Sequence, residues 1–235
     1  MGGFLENKVA VVTGGTRGIG RAIAEALLRE GAAVAICGRS EAGIREAVAA
    51  LASLGRACGQ AADVARWEDV EALFRYVQSE LGGVDILVNN AGVGIFAPAA
   101  ELSLEDWRRT IETNLTGAFH ATRAAVPLMR ARGGGFIINI GSLAGRNAFA
   151  GGAAYNASKF GLRGFTEALM LDYRYDNIRV AEIMPGSVAT GFGRSAPEDW
   201  KIAPEDIAEI VLFLLRMPAR TLVSRVEVRP SKPRK

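Results

Sequence analysis

The segment Thr13-Gly14-Gly15-Thr16-Arg17-Gly18-Ile19-Gly20 restricts the possible folds more than any other stretch of the chain. It follows the β-rich apolar run Lys8–Thr13 and opens a helical pattern from Gly18 to Glu30, which Gly31 can end. A strand that feeds a helix through such a turn brings bare backbone, and the helix N-terminus behind it, up to a phosphate group. The spacing differs from G-x-G-x-x-G, and a glycine-rich turn can be purely structural. Its place between strand and helix makes a dinucleotide site the better reading.

The rest of the chain repeats that unit. Strand patterns at Ala33–Cys37, Arg56–Ala62, Asp85–Asn89, Gly135–Gly141, Ile178–Met184 and Leu222–Val228 alternate with helical ones at Glu41–Leu54, Arg66–Leu81, Leu104–Arg130, Ala153–Tyr173 and Pro204–Met217. Alternation of this kind predicts parallel βαβ units in an α/β fold. We expect one doubly wound parallel sheet, strand order 3-2-1-4-5-6-7, with helices on both faces. The long pattern Leu104–Arg130 is expected to bend or end near Pro127.

Chemistry is signalled at Tyr155 and Lys159, four residues apart and so on one face of a helix. A phenol beside an ammonium is a proton donor with a tuner, since a nearby cation favours the phenolate. Thirteen residues before Tyr155, Ser142 ends the apolar run Gly135–Gly141 and would face the ligand crevice of an open sheet. The strand ending in Asn89-Asn90-Ala91-Gly92 and the segment Pro185-Gly186-Ser187-Val188-Ala189-Thr190 complete the set. Together these motifs, in order from Val9 to Thr190, resemble the short-chain dehydrogenase/reductase family and its Rossmann fold.

That resemblance implies a hydride transfer between a nicotinamide and a carbonyl or secondary alcohol. Tyr155 would be the acid/base, Ser142 would orient the substrate oxygen, and Lys159 would lower the tyrosine pKa and bind the nicotinamide ribose. Asn114 would break its helix and hold a water in a proton relay. Gly14, Thr16, Arg17, Gly18, Ile19 and Gly20 would carry the pyrophosphate. Asp63 and Val64 would meet the adenine; Asn90, Ala91 and Gly92 the adenosine ribose; Pro185, Gly186, Val188 and Thr190 the nicotinamide.

Cofactor choice turns on Cys37-Gly38-Arg39-Ser40, at the end of the second strand. An NAD enzyme typically places a carboxylate there, on the ribose 2′-hydroxyl. Here no acid stands at the strand end, and Arg39, with Arg17, can grip a 2′-phosphate, so NADP is expected over NAD. The plainer reading is that Arg39 only covers the surface and that Glu41 discourages phosphate.

At 235 residues, 49% apolar and 23% charged, the chain is read as one domain spanning 1–235, with 229–235 a basic, disordered tail. Neither a membrane span nor a leader pattern is seen, so a cytoplasmic protein is expected. Part of the net charge of +3 sits in the basic tail, which could touch nucleic acid or an acidic partner; a solvated end is the better reading, so no nucleic-acid partner is expected. Cys37 and Cys58 lack metal-ligand spacing, and His120 is the one histidine, so no metal site or histidine triad is expected and all three should pack.

The expected substrate is a small ketone or aldehyde. Phe96, Phe149, Met184, Phe192 and Trp200 are candidate walls, under a short lid between Thr190 and Pro204. Reduction of 3-oxoacyl groups on acyl carrier protein or coenzyme A is the alternative. Relatives that do this dock the acidic carrier with two basic positions, here Arg132 and Asp176. A non-catalytic NADP-binding sensor or scaffold and an extended-family lyase or epimerase are weighed and set aside, the first because Ser142, Tyr155 and Lys159 are intact. The resemblance also implies a homodimer or homotetramer through helices Leu104–Arg130 and Ala153–Tyr173.

Overall fold

The computed structural model describes residues 3–192 and 198–233. Met1 and Gly2, the middle of the expected lid and the last two residues of the basic tail lie outside that set.

Seven strands, β1 (Val9–Thr13), β2 (Ala33–Gly38), β3 (Ala57–Ala61), β4 (Ile86–Asn89), β5 (Gly135–Ile140), β6 (Ile178–Pro185) and β7 (Arg225–Val228), form one parallel sheet in the order 3-2-1-4-5-6-7. The order reverses between β1 and β4, and there the glycine segment and Asn90 lie side by side. Side-chain alternation divides the core. Ala10 and Val12 of β1 pack with helices α1 (Gly18–Arg29), α2 (Glu41–Leu51) and α7 (Pro204–Arg216) on one face. Val9 and Val11 pack on the other, with α3 (Trp67–Leu81) and α5 (Gly117–Ala131) and the C-terminal part of α6 (Ala153–Tyr173).

The helix expected over Leu104–Arg130 is three pieces: α4 (Leu104–Ile111), a π-turn (Glu112–Thr116), then α5, which runs straight through Pro127. The break falls at Asn114, not at the proline. Asn114 is 2% exposed, and its amide accepts from Val93 N (2.7 Å) and donates to Val93 O (2.9 Å) and Ser158 Oγ (3.0 Å). Those bonds hold the residue inward and widen the turn, as π-bulges at functional sites do. Other ends shift slightly: α2 stops at Leu51, β7 starts at Arg225 and α7 stops at Arg216.

Asp85, at the foot of β4, is a buried anchor that accepts from Val9 N (2.9 Å) and pairs with Lys8 (3.3 Å) and Arg132 (2.9 Å). Asn89, Asn139 and Thr166 form a buried polar ladder from β4 through β5 to α6, with bonds of 2.8 Å each. Cys37 is fully buried and burial pushes its thiol up to about 11, so it packs as a small apolar residue. Nδ1 of His120 lies 3.0 Å from the Val64 carbonyl, and its ring meets the edge of Trp67.

Candidate active site

The C-terminal ends of β1 to β6 open into a cleft of about 1190 Å³. Every residue expected to be catalytic or to hold the cofactor lines it except Gly20 and Asn114, which stand just behind its wall.

At one end lies the glycine turn. Gly14 has φ +65°, and a Cβ there would sit 3.0 Å from Ala91 Cα. A Cβ on Gly20 would come within 2.4 Å of Gly14 O and Asn90 Nδ2, so Gly20 makes the turn possible without facing the cleft. Asn90 is a brace here: its amide donates to Thr13 O (3.0 Å) and Gly14 O (3.1 Å), while the backbone N–H groups of Asn90 and Ala91 share the Thr13 hydroxyl (3.0 and 3.1 Å). The first turn of α1 carries no acidic residue and no side-chain cap on Arg17, so its N–H groups are open toward the cleft. This cradle fits the pyrophosphate of a dinucleotide.

Arg17 and Arg39 line the same end, and neither side chain has an ion pair or hydrogen bond among the described residues. Ser40 caps α2 by accepting from Gly43 N (3.2 Å). Glu41, which could discourage a phosphate, is well exposed and lies 3.7 Å from Arg45. Asp63 is fixed after β3: its N–H donates to Asp69 (3.0 Å) and its carboxylate accepts from Ala65 N (3.0 Å). Across the turn, Thr190 lies close enough that a Cβ on Gly18 would meet its Cγ2 at 3.2 Å. Backbone bonds from Ala189 N to Ile202 O (2.8 Å) and from Ile202 N to Ser187 O (3.0 Å) pin that arm, while Gly186 N donates to Val228 O (2.8 Å).

Ser142, Tyr155 and Lys159 meet at the centre. Ser142 leaves β5 in extended backbone and caps a short 3₁₀ turn, accepting from Ala144 N (3.1 Å). It lines the cleft together with the Tyr155 phenol, near enough to hold that phenol's pKa down. Burial raises the Tyr155 pKa and Ser142 opposes that rise. The expected pull from Lys159 is not seen: its amine donates to Ile140 O (2.8 Å) and lies 5.8 Å from the Tyr155 ring centroid. Burial lowers Lys159 to about 8, while Glu182 pulls the other way.

Glu182 gives no motif signal, only a lone carboxylate in an apolar run. It is 1% exposed on β6, and Oε1 has no hydrogen-bond partner. A Cβ on Gly141 would lie 2.2 Å from that oxygen, so only glycine leaves room for it. Burial raises Glu182 to about 7, against the opposing pull of Lys159, Arg225 and Arg163. Ser158 was also not foreseen; it links Asn114 to the Tyr155 carbonyl, to which its hydroxyl donates (2.8 Å). The narrow interstice bordered by Asn114 and Lys159 has no room for a water centre, so a water held there, as the resemblance implies, would need the packing to open.

Of the expected walls, Phe96, Phe149 and Phe192 line the cleft. Met184 does not; its position on β6 puts it in the core at 0% exposure. Trp200 stays outside the lining, its ring 5.6 Å from the Lys201 amine.

Comparison with known proteins agrees with this arrangement. A family model described as short chain dehydrogenase matches residues 8–201. A protein named putative ketoacyl reductase from Streptomyces coelicolor is 38% identical over 97% of this chain and 87% of its own length. The chain matches only 19% of the length of glycine betaine reductase ATRR from Emericella nidulans, at 36% identity over 97% of this chain. Among solved structures, an alcohol dehydrogenase from the archaeon Thermococcus sibiricus, complexed with 5-hydroxy-NADP, superposes with a TM-score of 0.90 at 32% identity, covering 97% of this chain and 98% of that one. With the doubly wound sheet, the glycine cradle and the Ser142-Tyr155-Lys159 centre, these matches establish that the chain belongs to the short-chain dehydrogenase/reductase family of oxidoreductases.

Proposed function

We propose that the protein is an NADP(H)-dependent reductase of ketones or aldehydes, working in reverse on secondary alcohols. The observation that carries this reading is that the Ser142 and Tyr155 hydroxyls meet on the lining of one cleft, with Lys159 one helical turn on. Two hydroxyls so placed converge on the place of a substrate oxygen. A binding-only protein has no need of that pair.

NADPH bound in the cleft would supply a hydride to the substrate carbon. It would be held by the backbone of Gly14–Ile19 at the pyrophosphate, by Asp63 and Val64 at the adenine, by Asn90, Ala91 and Gly92 at the adenosine ribose, and by Pro185, Gly186, Val188 and Thr190 at the nicotinamide. Arg17 in the glycine turn and Arg39 at the end of β2, unpaired among the described residues, favour a 2′-phosphate. Tyr155 donates its phenolic proton to the carbonyl oxygen, and its raised pKa keeps that proton available through neutral pH. Ser142 bonds the same oxygen and orients the carbonyl. Lys159 steadies this end of the site from the Ile140 carbonyl, and Asn114 positions it by tying Val93 to α6.

The carrier-protein alternative is less well supported. Arg132 is spent on the buried Asp85 (2.9 Å) and Asn7 O (2.8 Å), and Asp176 pairs with Arg130 (2.6 Å), so neither offers a free cation to an acidic carrier. A homodimer or homotetramer through α5 and α6 is expected, where Phe119 and Phe160 are 44% and 43% exposed. The test is NADPH oxidation, followed at the nicotinamide absorbance, across ketones, aldehydes and 3-oxoacyl thioesters. Tyr155→Phe should lower kcat by about 10² to 10⁴, the range for a positioned proton donor. Turnover kept by that variant would point to the binding-protein reading.

A further inference from the structure

The end of the cleft beyond Tyr155 bears on which carbonyl compounds fit. Phe96, Phe149 and Phe192 surround the Tyr155 ring, with centroids 5.5, 6.4 and 5.8 Å from it. Phe96 and Phe149 also meet edge to face, 5.6 Å apart at 64°. Such spacings suit aromatic pairs. Yet the three rings are 45%, 45% and 40% exposed, although each lines the cleft. Three adjoining aromatic faces left open around one hydroxyl are a surface that a ligand covers.

The backbone beneath them is cleared of side chains. A Cβ on Gly94 would lie 2.6 Å from Phe192 Cε1 and 2.9 Å from Phe96 Cζ, and one on Gly152 would lie 2.7 Å from two atoms of the Phe149 ring. The rings therefore rest directly on main chain. Val93, Leu143 and Asn147 complete this end. Of the described charged lining residues, Lys159 stands on the same helix as Tyr155, and its amine is committed to Ile140 O. Arg17, Arg39 and Asp63 belong to the opposite end, and Lys201, beside Val188, is paired with Glu198 at 3.3 Å.

We propose that the site selects ketones carrying an uncharged aromatic ring close to the carbonyl, held edge to face by Phe96, Phe149 and Phe192. This rests on the carbonyl-reductase reading and narrows it to a substrate class. With the carbonyl oxygen at Ser142 and Tyr155, a ring one or two bonds away falls within the ring-to-ring distances that these phenylalanines already show around Tyr155.

The test compares 1-phenyl-2-propanone, 1-cyclohexyl-2-propanone and butanone as substrates with NADPH. A methylene insulates the carbonyl from the ring, so intrinsic reactivity is matched. We expect kcat/KM for the phenyl ketone at least about tenfold above butanone and about three- to tenfold above the cyclohexyl ketone, the range for aromatic pairing beyond area. Phe96→Leu and Phe149→Leu should bring the phenyl-to-cyclohexyl ratio to about one. Calorimetric binding of the two ring ketones to the protein loaded with NADP⁺, where no hydride can move to the ketone, reads the same preference without turnover. Equal treatment of the two rings in turnover and in binding, or an unchanged ratio in both leucine variants, overturns the proposal. A binding preference without turnover of any ketone supports the aromatic pocket and counts against carbonyl reduction, whereas turnover without preference does the reverse.

Discussion

A carboxyl group 1% exposed in the middle of a parallel strand is the costliest side chain of this site. Glu182 and Lys159 stand on either side of the Ile140-Gly141 peptide: one oxygen of the acid packs on Gly141, and the amine donates to Ile140 O. The sign of the linkage follows from the two shifts. Glu182 is raised from 4.5 to about 7, so its contribution to stability is fully present below about 4.5 and is lost as pH rises through about 7. Lys159 is lowered from 10.5 to about 8, so its contribution is present above about 10.5 and is lost as pH falls through about 8. Glu182→Gln keeps the shape and removes the first limb. Its urea midpoint should therefore stay flat between pH 5 and 7, where wild type declines by on the order of 2 kcal/mol; matching slopes in the two proteins would mean that Glu182 does not titrate in this window. Ser142, Tyr155 and Lys159 are legible in the sequence because their spacing is fixed by one strand end and one helical turn. Glu182 is not, since within Ile178–Met184 its significance depends on Gly141, some forty residues earlier and adjacent only once β5 and β6 pair.

At the scale of elements, the first strand-turn-helix unit is the best-read part of the chain and the Leu104–Arg130 segment the worst. The glycine turn announces itself because its demands are local: a positive φ at Gly14 and the close approach of Gly20 to Gly14 O. Gly20→Ala puts a carbon 2.4 Å from that oxygen and from Asn90 Nδ2, so the turn must shift and the Asn90 brace with it. NADPH affinity, read by fluorescence titration, should fall at least about tenfold, with a stability loss of about 1–3 kcal/mol, typical of overpacking. Unaltered affinity in that variant would mean that the turn is not the pyrophosphate cradle. In the other segment the strongest local signal misleads. Pro127 predicts a bend by its missing N–H, at a cost of about 3 kcal/mol in an isolated helix, yet α5 passes through it because Val126 and Met129 stay packed in the core. The real break is set by Asn114, whose three bonds reach residues 21 positions earlier and 44 later. Asn114→Ala leaves the Val93 N–H and C=O without their partner. It should cost about 1–3 kcal/mol in a denaturant titration and lower kcat more than it raises KM, since it acts by positioning.

For the molecule as a whole, the cleft runs along the C-terminal edge of the sheet from β3 to β6, so a dinucleotide lying in it would meet segments that follow six of the seven strands. Stability and cofactor choice are then the same measurement. A ligand that binds only the folded chain adds about 2.7 kcal/mol at a hundred times its Kd, and a protein of this size gains about 2–4 °C in Tm for each kcal/mol. NADP⁺ at that excess should therefore raise Tm by about 5–10 °C. NAD⁺ at equal concentration should raise it by less, because among the described residues no protein anion holds Arg17 or Arg39 and the 2′-phosphate is what would engage them. Arg39→Ala removes a charge-assisted contact of about 1.5–3 kcal/mol, so the NADP⁺ shift should shrink to near that of NAD⁺ while the NAD⁺ shift stays where it is. Arg39 is exposed, so the variant should keep its fold, and the unliganded Tm reports it directly. Equal shifts from the two nucleotides in wild type, or a shift with NADP⁺ that survives Arg39→Ala intact, would leave the end of β2 as ordinary surface and return cofactor choice to groups elsewhere along the cleft.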